Sequence, residues 1–360
     1  MLTRNFGSLE VSVAGLGCGN FGFCSDEVQS ATVVNAALDA GITHFDTADV
    51  YGEGLSEEFL GRALGKRRDD VVVTTKFGSF TQDELRPGSA TWVRRACEAS
   101  LKRLGTDRID LYLMHQPDPV TPIEETLEAL RALKAEGKIR EIGCSNFDAS
   151  QLQQAADAAD ALGMDCFCTV QNSYSLLDRT AEKALMPTAE RLGATLFPYL
   201  PLASGMLTGK YRRDRSNEAG GRLGKSLRGT TVSDYFPALM LDESFDIVEA
   251  LERYAFEPGH TLVELALSWL ASKPFVTSVI AGATSAEQVG ANVAAISAWP
   301  MDEAVQRAIG DLTRDDVAFT WNAGFPSYAK LPEGADPSAV PDVRKQPAAD
   351  AVAGADRSPS

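Results

Sequence analysis

From residue 11 onward the chain repeats one pattern: a short apolar run, a polar stretch, an amphipathic segment with helical spacing, then a glycine. The apolar runs fall at Val11 to Leu16, Ile42 to Phe45, Val71 to Thr75, Ile109 to Met114, Ile139 to Cys144, Cys166 to Val170, Ala194 to Pro198 and Thr277 to Ala281. They are nearly continuous rather than alternating, which predicts strands of a parallel sheet buried on both faces. Between them, Thr121-Pro122-Ile123-Glu124 predicts a capping box around a proline at the first helical position, and Asp148 with Gln151 predicts another helix start. Gly41, Gly65, Gly105, Gly137, Gly163 and Gly193 close such segments, as expected where a helix ends in a left-handed residue. Eight alternating units close a parallel sheet on itself. The predicted fold is therefore α/β: a (β/α)8 TIM barrel with an N-terminal β-hairpin and long active-site loops. An open, doubly wound sheet is the alternative.

At 360 residues the chain suits one barrel with insertions. Residues 1–325 are read as a single barrel and 326–360 as an extended, disordered tail, because the last stretch is Pro, Ala and Asp with few apolar groups. The segment from Lys210 to Phe236, rich in Gly, Arg and Ser, reads as a mobile loop over the barrel mouth. A formal net charge of −16 argues against nucleic-acid and anionic-membrane partners, which demand a basic surface. No unbroken apolar stretch reaches membrane-spanning length, and no basic-then-apolar leader opens the chain, so a cytoplasmic protein is expected. The six cysteines include no C-x-x-C pair. They read as reduced core thiols, with no metal site, and Cys166 and Cys168 are expected on one face of a strand.

In such a barrel the polar residues just past the strand ends converge on one mouth. Asp46 follows the second apolar run, within Phe45-Asp46-Thr47-Ala48-Asp49-Val50-Tyr51-Gly52; Lys76 ends the third; His115 ends the fourth. An ammonium behind a phenol stabilises its phenolate, which makes a tyrosine usable for proton transfer near neutral pH. Asp46 is expected to pair with Lys76 and keep it charged, while His115 hydrogen-bonds the reacting oxygen. Each residue alone has a structural explanation as a solvated strand end, a satisfied histidine or a turn former. Their joint occurrence at successive strand ends, in a chain with 3 histidines, favours chemistry. His44 and His260 are assigned to structure.

Phe45 to Gly52, the strand-end Lys76 and Leu113-Met114-His115-Gln116-Pro117-Asp118 resemble the signatures of the aldo-keto reductase superfamily. The resemblance runs from about Leu2 to Ile296 and includes Ile139 to Phe147, Gln171-Asn172, Pro198 to Tyr211 and Val279 to Asn292 in family order. It implies a catalytic tetrad of Tyr51 as proton donor with Lys76, Asp46 and His115. It implies a nicotinamide held by Ser145, Asn146, Gln171 and the aromatic ring of Tyr199. Gly17 and Cys18 join the cofactor set, Cys18 standing where a threonine is frequent.

By the same resemblance the pyrophosphate lies along Leu200, Leu202, Gly205 and Lys210, with Leu200 replacing a frequent serine. The adenosine end meets Gly282, Thr284, Gln288 and Asn292, where Ser285 and Gln288 also read as a capping box. Many NADP-binding relatives carry a basic residue in this segment, and residues 282 to 288 have none. The expected cofactor is NADP(H), with NAD(H) the alternative. Gly17-Cys18-Gly19-Asn20-Phe21-Gly22 fits the dinucleotide fingerprint G-x-G-x-x-G, but the acidic residue which that reading needs is Asp46, and the repeat continues through eight units; it reads as a decoy.

The expected reaction is reversible hydride exchange between the nicotinamide and a small carbonyl compound (aldehyde, ketone or keto-sugar) or the corresponding alcohol, as in an NADP-dependent aldo-keto reductase or alcohol dehydrogenase. Phe21, Phe23, Phe77 and Gln116 are expected to line the substrate mouth, and a monomer is expected. Two other classes remain: a non-catalytic nicotinamide-binding regulatory subunit, and a Schiff-base lyase or isomerase on the same barrel using Lys76.

Overall fold

The computed structural model describes residues 1–79, 86–213, 239 and 241–313. An antiparallel hairpin comes first, β1 (Thr3–Phe6) and β2 (Leu9–Ser12), paired Thr3 to Ser12 and Phe6 to Leu9. Eight parallel strands follow: β3 (Ala14–Gly17), β4 (His44–Asp46), β5 (Val72–Phe77), β6 (Ile109–Met114), β7 (Ile139–Ser145), β8 (Thr169–Gln171), β9 (Thr195–Leu196) and β10 (Val279–Gly282). β3 to β9 pair in sequence order and β10 pairs β3. Between β9 and β10 the ring closes through parallel bridges, Leu196 to Val276 and Tyr199 to Ile280, with Thr277 N–H donating to Leu196 O at 3.0 Å and Ile280 N–H to Pro198 O at 3.1 Å.

The helices are α1 (Glu27–Asp39), α2 (Leu55–Leu64), α3 (Ala90–Leu104), α4 (Ile123–Ala135), α5 (Ala149–Ala161), α6 (Leu185–Arg191), α7 (Asp242–Phe256), α8 (Leu262–Ser272), α9 (Ala286–Ile296) and α10 (Glu303–Leu312). Neighbours α1 through α6 pack in order, and α8 packs on α9, which returns to α1; α7 lies on α8 and α10. This is the predicted (β/α)8 barrel, with all eight expected strands present. The expected 326–360 tail and all of the Lys210 to Phe236 loop past residue 213 lie outside the described residues.

Two hydrophobic cores result. The larger fills the layer between strands and helices, and the smaller lies inside the barrel, where Val72, Leu111, Leu113, Phe197 and Ile280 meet Phe6, Leu9 and Val11 of the hairpin. Phe6 meets Phe197 edge to face at 5.0 Å. The hairpin thus plugs one end of the barrel and leaves polar chemistry to the other. Inside, close approach demands glycine at Gly15, where a Cβ would lie 2.7 Å from Ser278 Oγ and 3.1 Å from His44 Nδ1. His44 donates or accepts at 2.9 Å with Thr74, and burial pushes its pKa down to about 4, so it is a neutral structural residue as expected. His260 stacks on Trp299 at 4.3 Å.

Three local expectations are corrected. The run Val11 to Leu16 is not one strand: it divides at Val13 into the end of the hairpin and the first barrel strand. Helix α4 begins after Pro122 with no side-chain cap, and the buried Thr121 hydroxyl has no hydrogen-bond partner among the described residues, so no capping box forms there. Asp118 instead holds the loop leading into the helix, its carboxylate accepting from Val120 and Thr121 N–H at 2.8 and 3.2 Å. Cys166 and Cys168 do not share a face, because β8 begins at Thr169; Cys166 packs on the outer core and Cys168 on the barrel interior. All six cysteines are free thiols.

Candidate active site

Alternation along β5 decides what the mouth contains. Thr74 meets His44 of β4 and Lys76 meets Asp46 of β4, both pairs lying on the barrel's inner face. Thr75 and Phe77 therefore point to the helices. Lys76, with no exposed surface, donates to Asp46 Oδ1 at 2.9 Å and Oδ2 at 2.8 Å, to Thr47 O at 2.8 Å and to Tyr51 Oη at 3.5 Å. Burial alone would pull the Lys76 ammonium down. The charges of Asp46 and Tyr51, with hydrogen bonds to both, outweigh it and hold the group above its usual range.

Tyr51 opens the short turn Tyr51–Gly54 ahead of α2, and its half-buried ring stands edge-on to His115 at 5.8 Å between centroids. Burial, then the Lys76 charge, push His115 down to about 3, so its imidazole is neutral throughout the physiological range. Ser79 Oγ lies 2.9 Å from His115 Nδ1. The four residues expected to form the tetrad thus meet at the ends of β4, β5 and β6.

The expected nicotinamide residues are also brought together. Gln171 Nε2 donates to Asp46 Oδ1 at 2.7 Å, and Ser145 Oγ donates to Gln171 O at 2.7 Å. Asn146 donates to His115 O at 2.9 Å and to Ser145 Oγ at 3.1 Å, while Tyr199 OH donates to Asn146 Oδ1 at 2.7 Å. One network therefore runs from the Lys76 pair across β8 and β7 to the end of β9.

Beyond Tyr199 the backbone is bent hard. Leu200, Ala203 and Ser204 all have positive φ (53°, 46° and 54°), as does Asn146 at 63°. Such conformations are unfavourable for residues with a Cβ and cluster where a site requires them. Leu202 lies within this bend, and Gly205 ends it with Lys210 folded across: a Cβ there would sit 2.7 Å from Lys210 Nζ. Among the described residues, the buried Ser204 Oγ and Asn172 Oδ1 have no hydrogen-bond partner.

On the far side, Gly17 of β3 pairs in register with Gly282 of β10, and a Cβ on Gly17 would lie 3.0 Å from Ile280. Cys18 is buried beside it, its N–H donating to Asp46 O at 2.8 Å. Ser285 caps α9 by accepting from Gln288 N–H at 3.4 Å, but Gln288 does not return the bond. Its Oε1 accepts from Thr284 N–H at 2.8 Å and Thr284 Oγ1 at 3.1 Å, so the expected reciprocal capping box is shifted by one residue. Asn292 follows one turn later on α9.

The glycine motif Gly17 to Gly22 forms the turn after β3. A Cβ on Gly19 would lie 3.7 Å from the Tyr51 ring, so the motif packs on the tyrosine rather than opening a separate nucleotide domain. Phe21 and Phe77, expected at the substrate mouth, are both fully buried in the outer core. For Phe77 the reason is parity: Lys76 points in, so its neighbour points out, against Tyr112 at 4.7 Å. Gln116 is half-buried beside His115, and Phe23 is 49% exposed. Sequence reasoning missed Ser79; it stands two residues past the strand that carries Lys76, in the same position class as the residues it did find.

A model of the aldo/keto reductase family matches residues 15–313. The chain is 35% identical over 317 residues to an uncharacterized oxidoreductase, YrpG, of Bacillus subtilis, covering 84% of this chain and 93% of that protein. It is 33% identical to the aldo-keto reductase YhdN of the same species, covering 86% and 92%. It is also 34% identical to a probable voltage-gated potassium channel subunit beta of rice (Oryza sativa subsp. japonica), covering 84% and 93%. Among solved structures, the holo form of aldo-keto reductase AKR11C1 from Bacillus halodurans superposes with a TM-score of 0.71 at 31% identity, covering 89% of this chain and 99% of that one.

Proposed function

This chain belongs to the aldo/keto reductase family, and from that premise we propose that it interconverts small carbonyl compounds and alcohols with NADP(H), using Tyr51 as proton donor and acceptor. The observation that carries this reading is Lys76, buried and held by both oxygens of Asp46, with its ammonium 3.5 Å from Tyr51 Oη. An ammonium so placed favours the phenolate over the phenol, which eases proton transfer in both directions. Gln171 on Asp46 Oδ1 keeps that carboxylate turned toward Lys76. The Ser79 hydroxyl lies 2.9 Å from His115 Nδ1 and holds the ring in place, and the proposed role of His115 is to orient the substrate oxygen through Nε2.

The residues present fit a nicotinamide dinucleotide. Ser145, Asn146 and Gln171 offer amide and hydroxyl groups at adjacent strand ends, and the strained bend at Leu200 to Ser204 beside an unpartnered Ser204 hydroxyl suits close contact with a phosphate. When bound, the nicotinamide supplies or accepts the hydride. Lys210 across Gly205 adds a cation at that bend. Thr284, Ser285 and Gln288 at the start of α9, with Asn292 behind them, serve the 2′-phosphate of NADP(H) through hydroxyls, side-chain amides and helix N–H groups, residues 282 to 288 having no lysine or arginine. Substrate entry passes Phe23 and Gln116, with Val50 and Leu55 adding exposed apolar surface near Tyr51, which favours carbonyl compounds with an apolar portion.

The Schiff-base reading requires a neutral lysine nucleophile. The three acceptors around the Lys76 ammonium and its raised pKa oppose that. The rice relative's description motivates a second reading, a regulatory subunit that binds the cofactor without turnover. Tyr51→Phe separates the readings. We expect turnover of test aldehydes and ketones to fall by about 100-fold or more, with NADPH affinity by fluorescence titration unchanged. Turnover at the wild-type rate in Tyr51→Phe would remove Tyr51 as the proton donor; NADPH binding with no turnover in wild-type protein would favour the regulatory reading.

A further inference from the structure

Behind the mouth, on the helix side of β5, lies a second buried ion pair that none of the expected site residues includes. Glu57, on the first turn of α2, has no exposed surface; it accepts from Thr75 Oγ1 at 2.6 Å and from Arg103 Nε at 2.6 Å. Thr75 immediately precedes Lys76 on β5, and Arg103 stands in the last turn of α3. The Arg103 stem lies across Gly54, the residue that ends the Tyr51 turn, so closely that a Cβ on Gly54 would meet its Cδ at 2.8 Å. α2 and α3 touch backbone to backbone here: a Cβ on Gly61 would lie 2.2 Å from Leu104 O.

One ion pair therefore ties the turn that carries Tyr51, the strand that carries Lys76, and α3. Removing two charges from water costs several kcal/mol unless geometry and extra hydrogen bonds compensate, so such a pair contributes little net stability and serves specific geometry better. We propose that Glu57 and Arg103 are positioning residues that set the spacing of Tyr51 Oη and Lys76 Nζ, acting through Thr75 on one side and Gly54 on the other. This inference rests on the reading of Tyr51 as proton donor. Besides the pair itself, the charged and titratable groups facing this corner are Asp49 ahead of the turn, Lys76 and Asp46 on the barrel side, Tyr112 on β6 and His115 against the Tyr51 ring.

The test is a set of variants followed by steady-state kinetics across pH with NADPH and one aldehyde. Glu57→Gln keeps the Thr75 hydrogen bond and loses the charge pair. We expect kcat to fall by about 10-fold with KM little changed, because a displacement well under 1 Å at reacting groups has effects of that size. The alkaline limb of the kcat profile should move up by about half a unit or more, since a more distant ammonium stabilises the phenolate less. Arg103→Met should reproduce both effects, and Arg103→Lys, which keeps the cation opposite Glu57, should retain part of what Arg103→Met loses. Thr75→Val, which cuts the link to β5 but keeps the ion pair, should shift the profile in the same direction by less, and serves should Glu57→Gln not fold. Arg68→Gln is the control: it breaks the buried Arg68 to Asp110 pair, 2.8 Å, at the opposite end of β6, and should lower Tm without moving the profile. Glu57 and Thr75 variants with lowered Tm and an unmoved profile overturn the proposal, as does a control that moves the profile equally. If Tyr51→Phe retains turnover, the underlying reading fails instead, so the two failures are distinguishable.

Discussion

Asp49, two residues ahead of Tyr51, shows how much a single side chain in this corner depends on its surroundings. Burial, then the Glu57 charge, push its carboxyl from 3.8 up to about 7, and its Oδ1 has no hydrogen-bond partner among the described residues. Between those two values the folded protein holds a proton that the unfolded chain has released, so stability falls as pH rises from about 4 to about 7. Asp49→Asn removes that loss. We expect it to stabilise the protein by about 1 kcal/mol at pH 8 and by less at pH 5 in urea unfolding; a gain that does not grow with pH would contradict the buried-acid account. The residues proposed to be catalytic were legible because chemistry restricts the residue type: Asp46, Lys76 and His115 are charged or titratable groups closing apolar runs. Glu57 and Arg103 were not, since a glutamate and an arginine on amphipathic helices look like any solvated face until the helices are packed. Phe77 shows what strand parity adds. Being next to Lys76 in sequence places it on the opposite face of the strand.

At the scale of elements, one of the three capping boxes expected from spacing forms reciprocally. Asp148 and Gln151 make it at 2.8 and 3.0 Å, whereas at Ser285 the Gln288 side chain turns to Thr284. No box forms at Thr121, whose own N–H, the group Glu124 would have accepted from, is taken by Asp118 at 3.2 Å. The contact between α2 and α3 is the element most sensitive to one atom. Gly61→Ala places a methyl 2.2 Å from Leu104 O, which forces the helices apart. The expected cost is about 1–3 kcal/mol in thermal or urea unfolding, accompanied by a loss of kcat, because the same interface carries Arg103. Unchanged stability would show that the backbones can yield there.

For the whole molecule, a ligand that binds only the folded barrel raises its stability by mass action, by about 2.7 kcal/mol at a hundredfold excess over Kd. NADPH and NADH at equal concentration should therefore both raise Tm, with NADPH giving the larger shift if Thr284 and Gln288 hold a 2′-phosphate. Equal shifts would leave those residues without that role, and no shift from either would remove the cofactor reading. Among the described residues no helix is long and apolar enough to cross a membrane.

The sequence alone determined the number and order of the barrel strands and the parallel barrel, and it singled out Asp46, Tyr51, Lys76 and His115 as candidates for chemistry. Hydrophobic periodicity is a local property, and eight buried runs separated by helices leave few ways to cover every apolar face. What only the tertiary structure decided was which side chains share a face and which pairs meet across distant segments. That includes the plug formed by Phe6 and Val11 in the barrel floor, the shift of Gln288 onto Thr284, the turn of Phe77 toward the helices, and the Glu57 to Arg103 pair behind Tyr51. Strand parity depends on where each strand begins, which the apolar runs leave uncertain by a residue or two, and long-range pairing depends on helix rotation against the barrel. Neither is encoded in any single segment; both are fixed only when the barrel closes and every buried polar group must find its partner.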